Sequence, residues 1–174
     1  MRLAGDDYGS EGAYFVTICT HNRDLLFLDP DLATIIEEEW AALPDRFPIL
    51  SPDVFVIMPN HVHFILWLNS VGVPLAGTLS PDNATNAVKQ RAGTSPAPTL
   101  GKVVGAFKSR VAVRWLASLK QKKDQSLPGR IWQRNFYDHI IRDEAELNRI
   151  RQYILDNPLI WHDDPENPAS TVRP

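Results

Sequence analysis

Val54-Phe-Val-Ile-Met-Pro-Asn-His-Val-His-Phe-Ile-Leu-Trp67 is the stretch from which the rest of the chain is read. Pro59-Asn60 interrupts two runs of β-branched and aromatic residues, which predicts strands at Val54 to Met58 and His61 to Leu68 around a turn or a bulge. Side chains alternate along a strand, so Val62, Phe64, Leu66 and Leu68 share one face and point at a core. His61, His63, Ile65 and Trp67 share the other. Two imidazoles on one strand face make a bidentate metal grip. The plainer reading of the same pair is a set of hydrogen-bonded polar groups in a half-buried sheet.

Upstream, Glu11 to Thr20 reads as a first strand ended by His21-Asn22-Arg23-Asp24. From Asp31 to Leu43 the period becomes helical, with Leu32, Ile35, Ile36, Trp40 and Leu43 on a stripe and Pro44 as its stop. Residues 69–98 are rich in Gly, Pro, Ser and Thr without sustained period and predict a long loop. A second helix is predicted from Thr99, its core stripe running through Phe107, Val111, Trp115 and Leu119. After Pro128-Gly129, Ile131 to Ile141 reads as a fourth strand. Asp143 with Glu146 three residues on marks the start of a third helix, which stops at Asn157-Pro158. The tail from Leu159, with prolines at 165, 168 and 174, is expected to be extended or frayed.

The order β-α-β-β-α-β-α predicts an α+β fold: a ferredoxin-like split βαβ antiparallel sheet with helices packed on it and an extra C-terminal helix. At 174 residues, a single domain over 1–174 with a core at about 12–161 is expected. No apolar run reaches the roughly 20 residues of a membrane span, and Asp6, Asp7 and Glu11 stand where a secretory signal needs an apolar segment. A cytoplasmic protein is the expectation, and the lone Cys19, a small core residue on the first strand, allows no internal disulfide.

The net charge of −3 hides segregation. Residues 1–83 carry three basic and twelve acidic side chains, net −9, whereas 84–135 carry eleven basic against Asp124 alone, net +10. Residues 136–174 return to net −4. The basic segment is an electrostatic footprint for phosphates or, more plainly, a solvated helix face.

On the third helix Tyr153 and Asn157 lie four residues apart and therefore on one face. A phenol has a pKa near ~10 and needs help to attack at neutral pH. A metal held by His61, His63 and Asn157 would give that help, with magnesium or manganese suited to such N/O ligation and zinc a competitor. Tyr137, next to Asp138 and His139, is the rival nucleophile; Tyr153 is preferred because its helix also supplies a ligand. His139 reads as structural or supporting, His21 and His162 as loop residues, and Trp40, Trp67, Trp115 and Trp161 as packing.

Four blocks carry a resemblance: Met58-Pro-Asn-His-Val-His-Phe-Ile-Leu66, Pro98-Thr-Leu-Gly-Lys-Val-Val-Gly-Ala-Phe-Lys-Ser109, Ile131-Trp-Gln-Arg-Asn-Phe-Tyr-Asp-His-Ile-Ile-Arg-Asp143 and Tyr153-Ile-Leu-Asp-Asn-Pro158. In this order, over roughly Tyr14 to Trp161, they resemble the single-tyrosine HUH transposases, in particular the REP-associated tyrosine transposase branch, related to the insertion-sequence members. The resemblance implies His61 and His63 as metal ligands, Tyr153 as nucleophile and Asn157, where many insertion-sequence members carry Gln, as third ligand. It implies metal-dependent cleavage and joining of single-stranded or hairpin DNA through a 5′-phosphotyrosine, with Mg²⁺ or Mn²⁺ and no nucleotide cofactor. Insertion-sequence relatives suggest a dimer and the REP-associated branch a monomer, which is preferred. Lys102, Lys108, Arg110, Arg114 and Arg134 are the expected DNA contacts, with Trp132 or Phe136 stacking on an unpaired base. The competing readings are a non-catalytic hairpin-DNA-binding protein and a zinc-dependent hydrolase.

Overall fold

The computed structural model describes residues 11–69, 98–122, 130–164 and 166–170, so nearly all of the loop expected at 69–98 lies outside the described residues. Four strands, β1 (Gly12–Cys19), β2 (Leu50–Met58), β3 (His61–Leu68) and β4 (Tyr137–Ile141), form one sheet in the order β2-β3-β1-β4 with every neighbouring pair antiparallel. Helices α1 (Pro30–Ala41), α2 (Leu43–Arg46), α3 (Leu100–Lys122) and α4 (Glu144–Asp156) complete the α+β arrangement, a split βαβ fold followed by an extra helix.

Alternation on the central strands sorts the interior into two layers. Val62, Phe64, Leu66 and Leu68 of β3 join Tyr14, Val16 and Ile18 of β1 beneath α1 and α3. On the opposite face Ala13, Ile65 and Ile141 meet Leu147 and Ile154 of α4, with Trp67 and Phe15 at the margin. Both faces of β3 are covered, which is why its sequence is apolar almost without interruption.

Local chemistry sets most boundaries. The Asp29 carboxylate accepts from the amides of Asp31 and Leu32, and Pro30 occupies the first turn, where its missing N–H is no loss. Pro44 does not simply end a helix: α1 stops at Ala41, and Pro44 enters the first turn of the short α2. β2 begins at Leu50, earlier than Val54, and passes a register shift between Pro52 and Phe55; an edge strand tolerates a residue with no amide proton. Pro59-Asn60 is a two-residue turn between β2 and β3. Asp143 caps α4 by accepting from the Glu146 amide at 2.8 Å.

Two further expectations need correction. β4 covers only Tyr137–Ile141, not Ile131 onward. Before it, Trp132 makes an isolated bridge to Thr20, while the Lys108 ammonium donates to the carbonyls of Gln133, Arg134 and Asn135 at 2.6, 3.2 and 3.4 Å. Those carbonyls are satisfied by a side chain instead of a neighbouring strand. The tail is not frayed from Leu159: a 3-10 helix spans Asn157–Asp163, and turns follow in which the Asp164 and Asn167 carboxylate and amide oxygens accept from the backbone of Glu166 and Ala169. Among the described residues no helix is long and apolar enough to cross a membrane.

α1 and α3 are bolted together by a buried acid. Glu39, 1% exposed, accepts from Arg46, Arg110 and Arg114 at 2.6, 2.8 and 3.1 Å. Burial alone would raise its pKa, but the arginine hydrogen bonds outweigh burial and hold it below the usual glutamate range. A depressed carboxylate pKa stabilises the fold above the unfolded value, and that stability is lost as pH falls through the folded one. Glu39→Gln should therefore cost about 1–3 kcal/mol in urea unfolding at neutral pH. The gap to wild type should narrow as pH drops below 4.5. α4 is anchored separately, through Arg151 Nε and Nη2 on Asp53, which also accepts from Trp67 Nε1. Because the arginine is partly solvated, Arg151→Ala should lower stability by only about 1 kcal/mol. Arg151→Lys should restore part of it, since an ammonium cannot fork onto both oxygens.

Candidate metal centre

The β1–β3 register places Thr17 opposite His63 and Cys19 opposite His61. Thr17 Oγ1 lies 2.8 Å from His63 Nδ1, and Asn60 Oδ1, which only accepts, lies 2.8 Å from His61 Nδ1 and accepts a hydrogen bond from its N–H. Both Nδ1 atoms are thereby engaged and the Nε2 edges turn toward each other, 2.9 Å apart. Burial lowers both imidazoles to a pKa of about 3, helped by Arg23 at His61 and by His61 at His63, so both are neutral at pH 7. Neutral nitrogens this close require a proton on one of them or a cation taking both lone pairs. Two ligand atoms each ~2.1 Å from one ion at a right angle stand about 3.0 Å apart, so the spacing fits a chelating pair.

Tyr153 approaches from α4. Its hydroxyl is 3.5 Å from His63 Nε2, its ring meets Phe15 edge-on, and the residue remains 41% exposed. Burial of the hydroxyl raises its pKa, the Asp164 carboxylate adds to the rise, and the nearby Asn157 amide opposes it. The phenol is thus protonated at neutral pH. Asn157 sits one turn further on, 1% exposed, and neither its Oδ1 nor its Nδ2 makes a hydrogen bond of normal geometry. An unsatisfied buried amide costs about 1–3 kcal/mol per group, a cost that a bound ion or water relieves.

Asp164 and Glu166 were not singled out from sequence. The 3-10 helix after α4 turns the chain back so that Asp164, 3% exposed, lies beside the histidines. Its Oδ2 is 3.8 Å from His61 Nε2, and donor atoms of His61, His63 and Asp164 lie within 4.8 Å of one another. Glu166 pairs with Arg23, accepts from the Cys19 thiol at 3.3 Å, and offers its carbonyl to Asn60 Nδ2 at 2.6 Å. Burial, with Glu166 adding to it, pushes the thiol up to about 12, which makes it an inert donor. The only sequence signal was a cluster of Asp, Pro and Asn after Trp161, the composition of any turn.

Beside this cluster opens a cavity of about 380 Å³ with Phe15, Phe136, Tyr137 and Tyr153 as its aromatic wall and Gln133 and Asn135 at its polar side. Tyr137, 55% exposed on β4, borders the same space. His139 is 2.9 Å from Glu146 at the start of α4, in a supporting position.

The expected DNA contacts fall apart into two groups. Lys102 and Arg134 are exposed. Arg110 and Arg114 are committed to Glu39 and Glu38 on α1, and Lys108 to three carbonyls. Trp132 is 6% exposed between Phe27 and Phe107, with Nε1 donating to the Lys108 carbonyl. A ring so enclosed has no face for a base, which corrects the stacking expectation; Phe136, at the cavity wall, keeps that option.

No protein-family profile matches the chain. An uncharacterized protein of Haemophilus influenzae is 34% identical over 179 aligned positions, 94% of this chain and 89% of that protein. A second protein of that organism, provisionally named a REP-associated tyrosine transposase, is 26% identical over 88% of this chain and 73% of its own length. Among solved structures, a REP-associated tyrosine transposase bound to a REP hairpin superposes with a TM-score of 0.61 at 16% identity, over 92% of this chain and 74% of that one. A provisionally assigned transposase from Deinococcus radiodurans gives 0.51 at 17% identity, over 90% and 96%. With sequence kinship along almost its whole length, a relative that carries the family name and a fold in common with the hairpin-bound structure, the chain is similar in sequence and in fold to the REP-associated tyrosine transposases.

Proposed function

We propose that the protein cleaves and rejoins single-stranded DNA at hairpin elements, with Tyr153 as nucleophile and His61, His63 and Asn157 as metal ligands. The observation that carries this reading is the Tyr153 hydroxyl 3.5 Å from His63 Nε2, at the mouth of a cavity wide enough for part of a nucleotide. The hairpin in the related solved structure supports the same substrate class. His61, His63, Tyr153 and Asn157 all come from one chain, which supports a monomer as the acting unit.

In this mechanism the Tyr153 oxygen attacks the scissile phosphorus and loses its proton to solvent. The P–O3′ bond breaks, the 3′ oxygen takes a proton, and a 5′-phosphotyrosine remains. Attack by a 3′-hydroxyl reverses these steps and joins strands without a nucleotide cofactor, because the phosphodiester is conserved as the tyrosyl ester. A divalent cation, Mg²⁺ or Mn²⁺, would polarise the phosphate and lower the cost of the phenolate. The chain itself contributes position: Thr17 and Asn60 orient the imidazoles, Phe15 steadies the Tyr153 ring, and the Asp53–Arg151 pair holds α4 against β2. Lys102 and Arg134 supply backbone contacts, and Phe136 a stacking surface.

Incubation of hairpin-tailed single-stranded DNA with protein and Mn²⁺ should yield a covalent adduct on denaturing gels. Tyr153→Phe should abolish it, Tyr137→Phe should retain it, and His63→Ala should reduce it by about 100-fold or more. An adduct that survives Tyr153→Phe but not Tyr137→Phe would falsify the assignment. Multiple-turnover strand scission by Tyr153→Phe would indicate a hydrolase that uses water.

A further inference from the structure

We propose that Asp164 is a ligand of the cation held by His61 and His63, so that the turn after α4 is part of the metal centre. This deepens the metal reading above and rests on it. One oxygen of the carboxylate is accounted for: Oδ1 accepts from the Glu166 amide at 2.7 Å. The other, Oδ2, is buried without any hydrogen bond and lies 3.8 Å from His61 Nε2, too far to accept from it. A buried carboxylate oxygen with no donor is costly, and a cation among the three donor atoms within 4.8 Å of one another removes that cost.

Charge leads to the same place. Two imidazoles and the Asn157 amide offer lone pairs but no negative charge, whereas a divalent ion taken out of water needs compensation. Among the described residues, Asp164 is the acid grouped with these histidines. Its position is built, not incidental. Asn60 uses its oxygen to orient His61 Nδ1 and its amide nitrogen to hold the Glu166 carbonyl, while Arg23 pairs with the Glu166 carboxylate. A single buried amide therefore sets the strand ligand and the turn that carries the acid. Glu166 is a positioning residue.

The test is Mn²⁺ binding to the full chain without DNA, by titration calorimetry and by the Mn²⁺-induced rise in melting temperature. Asp164→Asn should weaken Mn²⁺ at least about tenfold. Its metal-free form should melt at or above the wild-type temperature, because asparagine keeps the acceptor for the Glu166 amide and removes an unpartnered charge. Asp164→Glu, which keeps the charge, should bind more tightly than Asp164→Asn. Wild-type Mn²⁺ affinity in Asp164→Asn, equal binding by the two variants, or a metal-free Asp164→Asn that melts well below wild type or fails to fold would each overturn the ligand role. If His63→Ala still loses Mn²⁺ in that case, the metal reading stands without Asp164; if wild type binds no Mn²⁺, the metal reading falls as well.

Discussion

The pleat of β3 is the constraint on which this molecule turns. Alternate side chains leave the strand on opposite faces, so one eight-residue segment seals the helical core with Val62, Phe64, Leu66 and Leu68 and carries His61 and His63 on the other side. A slip of one residue against β1 would exchange the two sets, burying imidazoles among Phe107 and Leu32 and turning Phe64 toward the cavity. Burying a residue such as Phe64 or Leu66 is worth about 1.5–3 kcal/mol, so four of them outweigh what the histidine hydrogen bonds alone could enforce. The apolar layer thus sets the register, and the register sets the site.

The cost of the polar cluster is borne on the other side. Asn157 Nδ2 and Oδ1 and Asp164 Oδ2 are buried without hydrogen bonds, and both imidazoles are held neutral by burial. Such groups persist only where packing around them is secure. Ile65, Ile141, Leu147 and Ile154 provide it beneath α4, and the Asp53–Arg151–Trp67 link holds the same helix from its outer side. Stability unspent on these orphan atoms would accrue to any ligand that satisfies them, which is the general relation between a preorganised site and its affinity.

What could be read in the chain beforehand follows the range of the interaction concerned. The faces of β3, the Asp143 cap of α4, the Phe107–Val111–Trp115 stripe and the Tyr153–Asn157 pair are local patterns, repeated within one or two turns or along one strand. β4 was read too long because a run of alternating residues looks like a strand whether or not a neighbour is there to bond it, and Lys108, 25 residues away from Gln133, took that place. Arg110 and Arg114 read as free cations because their acids lie 71 and 75 residues earlier. Asp164 was missed for the same reason: among prolines it resembled any surface turn, and its approach to His61 exists only after α4 has packed and the following 3-10 helix has reversed the chain.

Those arginine pairs also change the meaning of the charge pattern. An acidic first segment and a basic middle one suggested a cationic face offered to a polyanion, yet α1 and α3 pack together, and Glu38 and Glu39 neutralise two of the cations directly. Segment totals therefore measure complementarity inside the fold as much as attraction to a partner. The cations left facing solvent near the site are fewer, and Arg134 follows directly on Gln133 at the cavity's polar side. The basic character of residues 84–135 therefore serves in part to hold α3 against α1.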